Sequence, residues 1–210
     1  MICVSLANIT FQECIKALNK AEFAEIRIDQ LTLSEDQLKS LFSLKKKTIA
    51  TCRPEGFDDA RRLVLLKLSI DSGAGYIDIE YEANIAYRKE LIKYAHANNV
   101  IVILSYHNFD KTPSDKALND IIQQSLKWGA DRAKITTMAQ TTADCARVMS
   151  LYEKHKNLIA FCMGPLGTIT RVAAPLLGAD FTYAALDSKL ATAPGQLTVD
   201  GMIDIYDLIK

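Results

Sequence analysis

The sequence has no Cys-x-x-Cys pair, no apolar run approaching the width of a bilayer and no excess of charge of either sign. Each absence removes a class of protein. Five cysteines are an odd number without ligand spacing, which argues against a disulfide framework and a zinc knuckle. Cys3, Cys52 and Cys162 sit among β-branched and apolar neighbours and read as small buried hydrophobes. Crossing a bilayer takes ~20 apolar residues, and the purest run here, 100–104, is far shorter. With 25 Lys+Arg against 25 Asp+Glu there is no electrostatic footprint for nucleic acid or an anionic membrane. The dense basic run Lys45-Lys46-Lys47 reads as a solvated helix end. The opening residues, Met1-Ile2-Cys3-Val4-Ser5-Leu6, have neither the basic nor the long apolar segment of a signal peptide, so the expected location is cytoplasmic.

What is present fits one core. A chain of 210 residues with 49% hydrophobic content is expected to form a single domain spanning 1–210. Short β-branched runs recur at 2–6, 24–28, 48–52, 76–80, 100–106, 132–136, 158–163 and 181–184. Between them lie residues at helical spacing, such as Phe11/Ile15/Leu18, Leu63/Leu66/Ile70 and Met202/Ile205/Ile209. Ser34 with Gln37 forms a capping box, Ser114 marks another helix start, and Gly73, Gly75 and Gly129 mark stops. This alternation predicts successive βαβ units that close into a (β/α)8 TIM barrel. A doubly wound open sheet is the alternative, but Ala7-Asn8-Ile9-Thr10 after the first strand lacks the glycine pattern and Walker lysine of a nucleotide site.

The informative residues alternate with the apolar ones. Side chains of a strand point alternately to opposite faces, so in Glu25-Ile26-Arg27-Ile28-Asp29 the isoleucines share one face and the charges the other. In a barrel the charged face is the lumen. The same parity turns Asp78, Glu80, Ser105, His107, Lys134 and Thr136 inward, with Arg53 ending the third strand. Burying so many ionisable groups is costly unless they pair with each other or with a charged ligand. Glu25 with Arg27 also reads as a structural ion pair at the barrel floor, and Asp78 and Glu80 read equally as structure or function. His96 and His155, in polar helical surroundings, read as surface residues. His107 stands at the end of the most hydrophobic strand, where the lumen opens.

A buried lysine tends to lose its proton, and a neutral amine condenses with a ketone or aldehyde to an imine that acts as an electron sink. A nearby histidine supplies general acid–base catalysis, and several arginines imply an anionic substrate. No metal set is visible among scattered histidines and unspaced cysteines. The residues by themselves point to a Schiff-base lyase acting on a small keto acid.

The motifs Glu25-Ile-Arg27-Ile-Asp29, Thr51-Cys-Arg53, Asp78-Ile-Glu80, Ser105-Tyr-His107-Asn-Phe109, Lys134-Ile, Met163-Gly164-Pro-Leu-Gly167-Thr-Ile-Thr170-Arg171 and Ala193-Pro194-Gly195-Gln196 resemble, in order and spacing, the type I 3-dehydroquinate dehydratases of the shikimate pathway. The resemblance runs nearly end to end. It implies a (β/α)8 barrel that dehydrates 3-dehydroquinate to 3-dehydroshikimate without a cofactor, and it suggests a homodimer. It further implies that Lys134 forms the imine, that His107 is the general acid–base and that Glu55 orients the histidine. By the same resemblance Arg171 binds the substrate carboxylate, Glu25, Arg27 and Arg53 line the pocket, and Thr192 and Gln196 lie on a loop that closes over substrate. Three positions depart from the family pattern: Phe57 stands where a second glycine is usual after Glu55-Gly56, and Thr192 and Thr170 replace serines. The rival expectations are another Schiff-base lyase or aldolase that breaks a C–C bond, and a non-catalytic barrel that binds a small acid anion.

Overall fold

Helix follows strand along the whole chain because polar caps punctuate a repeating apolar pattern. The computed structural model describes residues 1–44 and 47–209. In chain order the elements are β1 (Ile2–Leu6), α1 (Phe11–Lys20), β2 (Phe23–Arg27), α2 (Glu35–Phe42), β3 (Lys47–Thr51), α3 (Asp59–Asp71), β4 (Tyr76–Glu80) and α4 (Ile85–Ala97). They continue with β5 (Ile101–Asn108), α5 (Asp115–Lys127), β6 (Arg132–Met138), α6 (Thr142–Lys154), β7 (Leu158–Met163), α7 (Thr168–Leu177), β8 (Thr182–Ala185) and α8 (Val199–Leu208). Short 3-10 turns occupy Ile28–Gln30 and Ser188–Leu190.

The strands form one parallel sheet in the order β7-β6-β5-β4-β3-β2-β1-β8. Since β8 pairs with β1 (Cys3 against Tyr183), the sheet curls back on itself. No pairing joins β7 to β8 among the described residues, so the TIM barrel is nearly closed.

The expected Ser34–Gln37 capping box opens α2, and Ser114 caps α5. Thr10 with Glu13 and Thr141 with Asp144 make two further capping boxes, each cap worth ~1 kcal/mol. Gly73 and Gly129 follow α3 and α5 at positive φ, as helix stops should. Gly75 instead begins the approach to β4, its N–H donating to Thr48 O. Lys47 opens β3 rather than ending a helix, because its ammonium can lie over the rings of Phe23 and Tyr76; Lys45 and Lys46 lie outside the described residues.

Two apolar layers hold the barrel. Outward-facing Leu6, Ile26, Ala50, Ile77, Val102 and Leu104 pack against Leu18, Leu38, Leu66 and Leu91 of the helices. Inside the lumen, Cys3, Phe23, Ile49, Tyr76, Ile103, Ile159, Phe161, Phe181 and Tyr183 form a separate cluster. All five cysteines are free and buried, which bears out the reading of Cys3, Cys52 and Cys162 as small buried hydrophobes. Among the described residues no helix is long and apolar enough to cross a membrane.

Candidate active site

The parity that fills the lower lumen with rings places charges above them. Register pairs Ser105 with Lys134 and His107 with Thr136, so Lys134 and His107 lie on neighbouring strands, two residues out of step, on the inner face. Lys134 is 5% exposed and donates to Asp78 Oδ2 at 3.0 Å, while its Nζ lies 4.2 Å from the centroid of the Tyr183 ring.

Asp78, fully buried, is the hub beneath. It also accepts from Ser105 and, at 2.8 Å, from Arg53 Nη2. Burial alone would raise its carboxyl, but Arg53 and Lys134 outweigh that and hold it far below the usual carboxylate range. Arg53 Nη1 reaches Glu80 at 2.9 Å, and Arg62, from α3, closes on the other oxygen of Glu80 while donating to Cys52 O at 2.8 Å. Lysine, aspartate, arginine, glutamate and arginine thus alternate in sign along one bonded chain. Such pairing makes buried charge tolerable and fixes its geometry.

His107 stacks on Phe109 with ring centroids 6.1 Å apart. Burial first, and then the cations of Lys134 and Arg53, hold its imidazole well below the ordinary 6.5. At neutral pH it is therefore a neutral base. Glu25 accepts from Ser5 at 3.0 Å and Thr51 at 2.9 Å. Arg27 pairs with Asp29 and not with Glu25, because the chain leaves the strand for the 3-10 turn at Ile28 and brings Asp29 back toward the guanidinium. The structural ion pair read from the sequence is replaced by Arg27–Asp29.

Arg171 is 1% exposed, with its guanidinium 4.5 Å from the Phe161 ring centroid. Among the described residues its Nη2 reaches only Pro194 O, at 3.5 Å, and its Nε has no partner. No carboxylate faces it among the described residues, and burial pulls its guanidinium down to about 10. An arginine kept so dry without an anion is prepared for one from outside the chain.

The loop after β8 lies against the β7–α7 turn. Gly164 N–H donates to Pro194 O at 3.1 Å and Thr168 Oγ1 to Gly195 O at 3.2 Å. Gly195 has φ +74°, and a Cβ there would collide with Gly164 O, so only glycine suits that close approach. Within the loop, Thr192 N–H and Oγ1 both donate to Gln196 Oε1, at 2.7 and 3.1 Å.

One cavity of about 700 Å³ gathers Glu25, Arg27, Arg53, Glu55, His107, Lys134, Arg171, Thr192 and Gln196. That volume suits a small molecule. Glu55 stands exposed at its mouth, and among the described residues no hydrogen bond joins it to His107. Arg53 lies two residues past the end of β3 rather than within it. His96 is at the surface beside Asp131, whereas His155 is half-buried against Asn119 at 2.7 Å. Sequence reasoning missed Arg62, whose helical setting suggested a surface residue, and Tyr183, which strand parity with Phe181 could have found. No group of three or more His, Cys, Asp and Glu side chains is placed to hold a metal among the described residues.

A lysine in a barrel lumen beside a neutral histidine and an unpaired arginine defines a (β/α)8-barrel lyase. The chain belongs to the type I 3-dehydroquinase family, hydro-lyases of the shikimate pathway; the family model matches residues 2–210. It is 36% identical to the 3-dehydroquinate dehydratase of Desulfotalea psychrophila, covering 98% of this chain and 96% of that one. It is 38% identical to that of Thermococcus onnurineus, over 86% and 84% of the two chains. Among solved structures, the 3-dehydroquinate dehydratase of Aquifex aeolicus matches with TM-score 0.85 and 27% identity, covering 99% of this chain and 98% of that one. The Clostridium difficile enzyme with covalently modified comenic acid matches in fold, with TM-score 0.87 and 23% identity over 99% and 91%.

Proposed function

We propose that the chain dehydrates 3-dehydroquinate to 3-dehydroshikimate through an imine at Lys134, residues 1–210 acting as one catalytic domain. The observation that carries this reading is the pairing of Lys134 with Asp78 at 3.0 Å in the cavity that also holds neutral His107 and anion-free Arg171. Arg171 receives the substrate carboxylate. With the acid anchored there, the C3 ketone meets Lys134; His107 takes the ammonium proton, the freed nitrogen closes a carbinolamine, and return of the proton with loss of water gives an iminium.

His107 removes the C2 proton, giving an enamine, and returns a proton to the departing C1 hydroxyl. Hydrolysis frees the lysine. Glu25, Arg27 and Arg53 meet substrate hydroxyls, while Thr192 and Gln196 cover the cavity from the β8 loop. Glu55 reaches toward His107 only when the mouth closes on substrate.

Incubation with 3-dehydroquinate and borohydride is expected to add a reduced adduct to Lys134, detected by intact mass and peptide mapping, and Lys134→Ala removes it. No adduct together with no 3-dehydroshikimate would overturn the reading.

We also infer a homodimer in the cytoplasm. Ile169 and Leu176 of α7 and Ile203 and Leu208 of α8 are exposed on helices tied together by the Tyr206 hydroxyl donating to Val172 O at 3.0 Å. A second copy would cover that apolar face.

A further inference from the structure

We propose that the ring of Tyr183 is a further catalytic group, its π face carrying the cationic nitrogen of the imine. The inference rests on Lys134 being the imine-forming residue.

Tyr183 lies on the lumen face of β8, the same face as Phe181, while Thr182 between them turns outward. Phe161 at 6.0 Å and Phe181 at 5.4 Å, centroid to centroid, hold the ring in place. Lys134 Nζ sits 4.2 Å from its centroid on one side and 3.0 Å from Asp78 Oδ2 on another. Cys3 from β1, Glu25 from β2, Arg53 beyond β3 and His107 from β5 are further charged or titratable groups around the pair, with Arg27, Glu80 and Arg171 also lining the cavity. Tyr183 is its neutral wall. Among the described residues the phenol hydroxyl is buried without a partner, and burial, with Glu25 and Asp78 adding to it, pushes its ionisation far up, so it serves neither as anion nor as proton donor. The ring face is what remains for chemistry.

A ring face attracts positive charge and is indifferent to a neutral nitrogen. As the carbinolamine collapses, the C3–O bond breaks, the nitrogen lone pair closes the C=N bond, and the oxygen leaves as water with the proton that His107 took from the Lys134 ammonium when the nitrogen added to C3. The positive charge ends on Nζ. It disappears in the enamine and returns when the C1 hydroxyl departs. Contact with the ring therefore favours the two iminium states over the carbinolamine and the enamine between them, and lowers the barriers of the two steps in which that charge develops, collapse of the carbinolamine and departure of the C1 hydroxyl.

Two variants separate ring from hydroxyl. Tyr183→Phe keeps the face and is expected to retain kcat within about threefold. Tyr183→Leu is expected to lower kcat about ten- to thirtyfold with little change in KM, the scale of a desolvated cation–π contact. Cyanoborohydride reduces the iminium and not the neutral imine, so trapping with 3-dehydroquinate across pH reads the charged fraction directly. Its midpoint is expected to fall by about one pH unit in Tyr183→Leu relative to Tyr183→Phe, a change that a merely structural role would not produce. Tyr183→Met fills the site with a flexible chain if the leucine variant fails to fold, and circular dichroism checks each protein. Equal impairment of the Phe and Leu variants, or an unmoved midpoint in the variant without a ring, overturns the inference. A parent enzyme that traps no adduct on Lys134 overturns the Lys134 reading and this inference with it; a trapped parent beside an unaltered Leu or Met variant overturns this one alone.

Discussion

The lower lumen is built from Phe23, Ile49, Tyr76 and Ile103, and the upper lumen, two residues further along the same four strands, from Glu25, Thr51, Asp78 and Ser105. Backbone, register and neighbours are shared, and only the side chains differ. Below, Phe23 meets Phe181 edge to face at 4.7 Å and Tyr76 at 5.4 Å, contacts that need no partner of opposite charge. Above, among the described residues, the buried charges other than Arg171 are tied to one another or held by hydroxyls, and the exception is the one aimed at a ligand. The lower layer supplies stability with which the upper layer carries buried charge. Changes to the two layers should therefore move different observables.

The largest effect is expected at His107. His107→Ala should lower kcat by about 10²–10⁴-fold while the borohydride adduct at Lys134 still forms, and stopped assays with mass analysis measure both. Normal turnover would remove His107 from the chemistry. Its pH dependence sharpens the point. The base must be neutral and its imidazole is held well below 6.5, so kcat/KM in the parent should be level at pH 7 and fall only at a midpoint below 6.5. For stability, the unfolded chain takes up the proton more readily than the folded one. The contribution is thus fully present above about 6.5 and is lost as pH falls below it. Asp78, also held down, acts with the same sign lower on the scale, its contribution present above 3.8 and lost on acidification.

Arg171 should divide function from stability. Arg171→Met removes a buried cation that has no carboxylate among the described residues, so unfolding free energy by urea titration should rise by about 1–2 kcal/mol. Activity should fall about 100-fold in kcat/KM, through loss of the charge-assisted pair with the substrate acid. A variant that is both less stable and still active would mean that Arg171 is structural.

Much of this contrast was written in the sequence, because a period of two is visible wherever a strand alternates Ile with Glu, Arg or Asp. Lys134, His107 and Asp78 could be placed by counting. The count fails where the backbone stops being a strand. Asp29 falls in the 3-10 turn and returns to Arg27, Arg53 lies beyond β3, and Glu55 sits on an exposed turn, so their partners follow from loop geometry that local pattern does not encode. Arg62 was hidden for another reason: a helical arginine looks solvated until the fold brings Glu80 and Cys52 O to it. β5 and β6 also run past the apolar segments that announced them, to Asn108 and Met138, since pairing with a neighbour sustains a strand through polar residues.

The smallest effect, and the most direct test of the two layers' independence, is expected at Phe23. Phe23→Leu keeps an apolar side chain but loses the edge-to-face contact with Phe181 and the ring beneath the Lys47 ammonium, 4.8 Å from its centroid. A loss of about 1–2 kcal/mol in unfolding free energy follows from the missing volume and ring contacts. Glu25, two residues on, keeps its Ser5 and Thr51 hydroxyls whatever fills the floor, so kcat and KM should stay within about twofold. Urea titration and steady-state rates on one preparation read both quantities. A fall in kcat beyond that range would show that floor packing sets the position of the charges above it, in which case the strand period orders the two layers without insulating them.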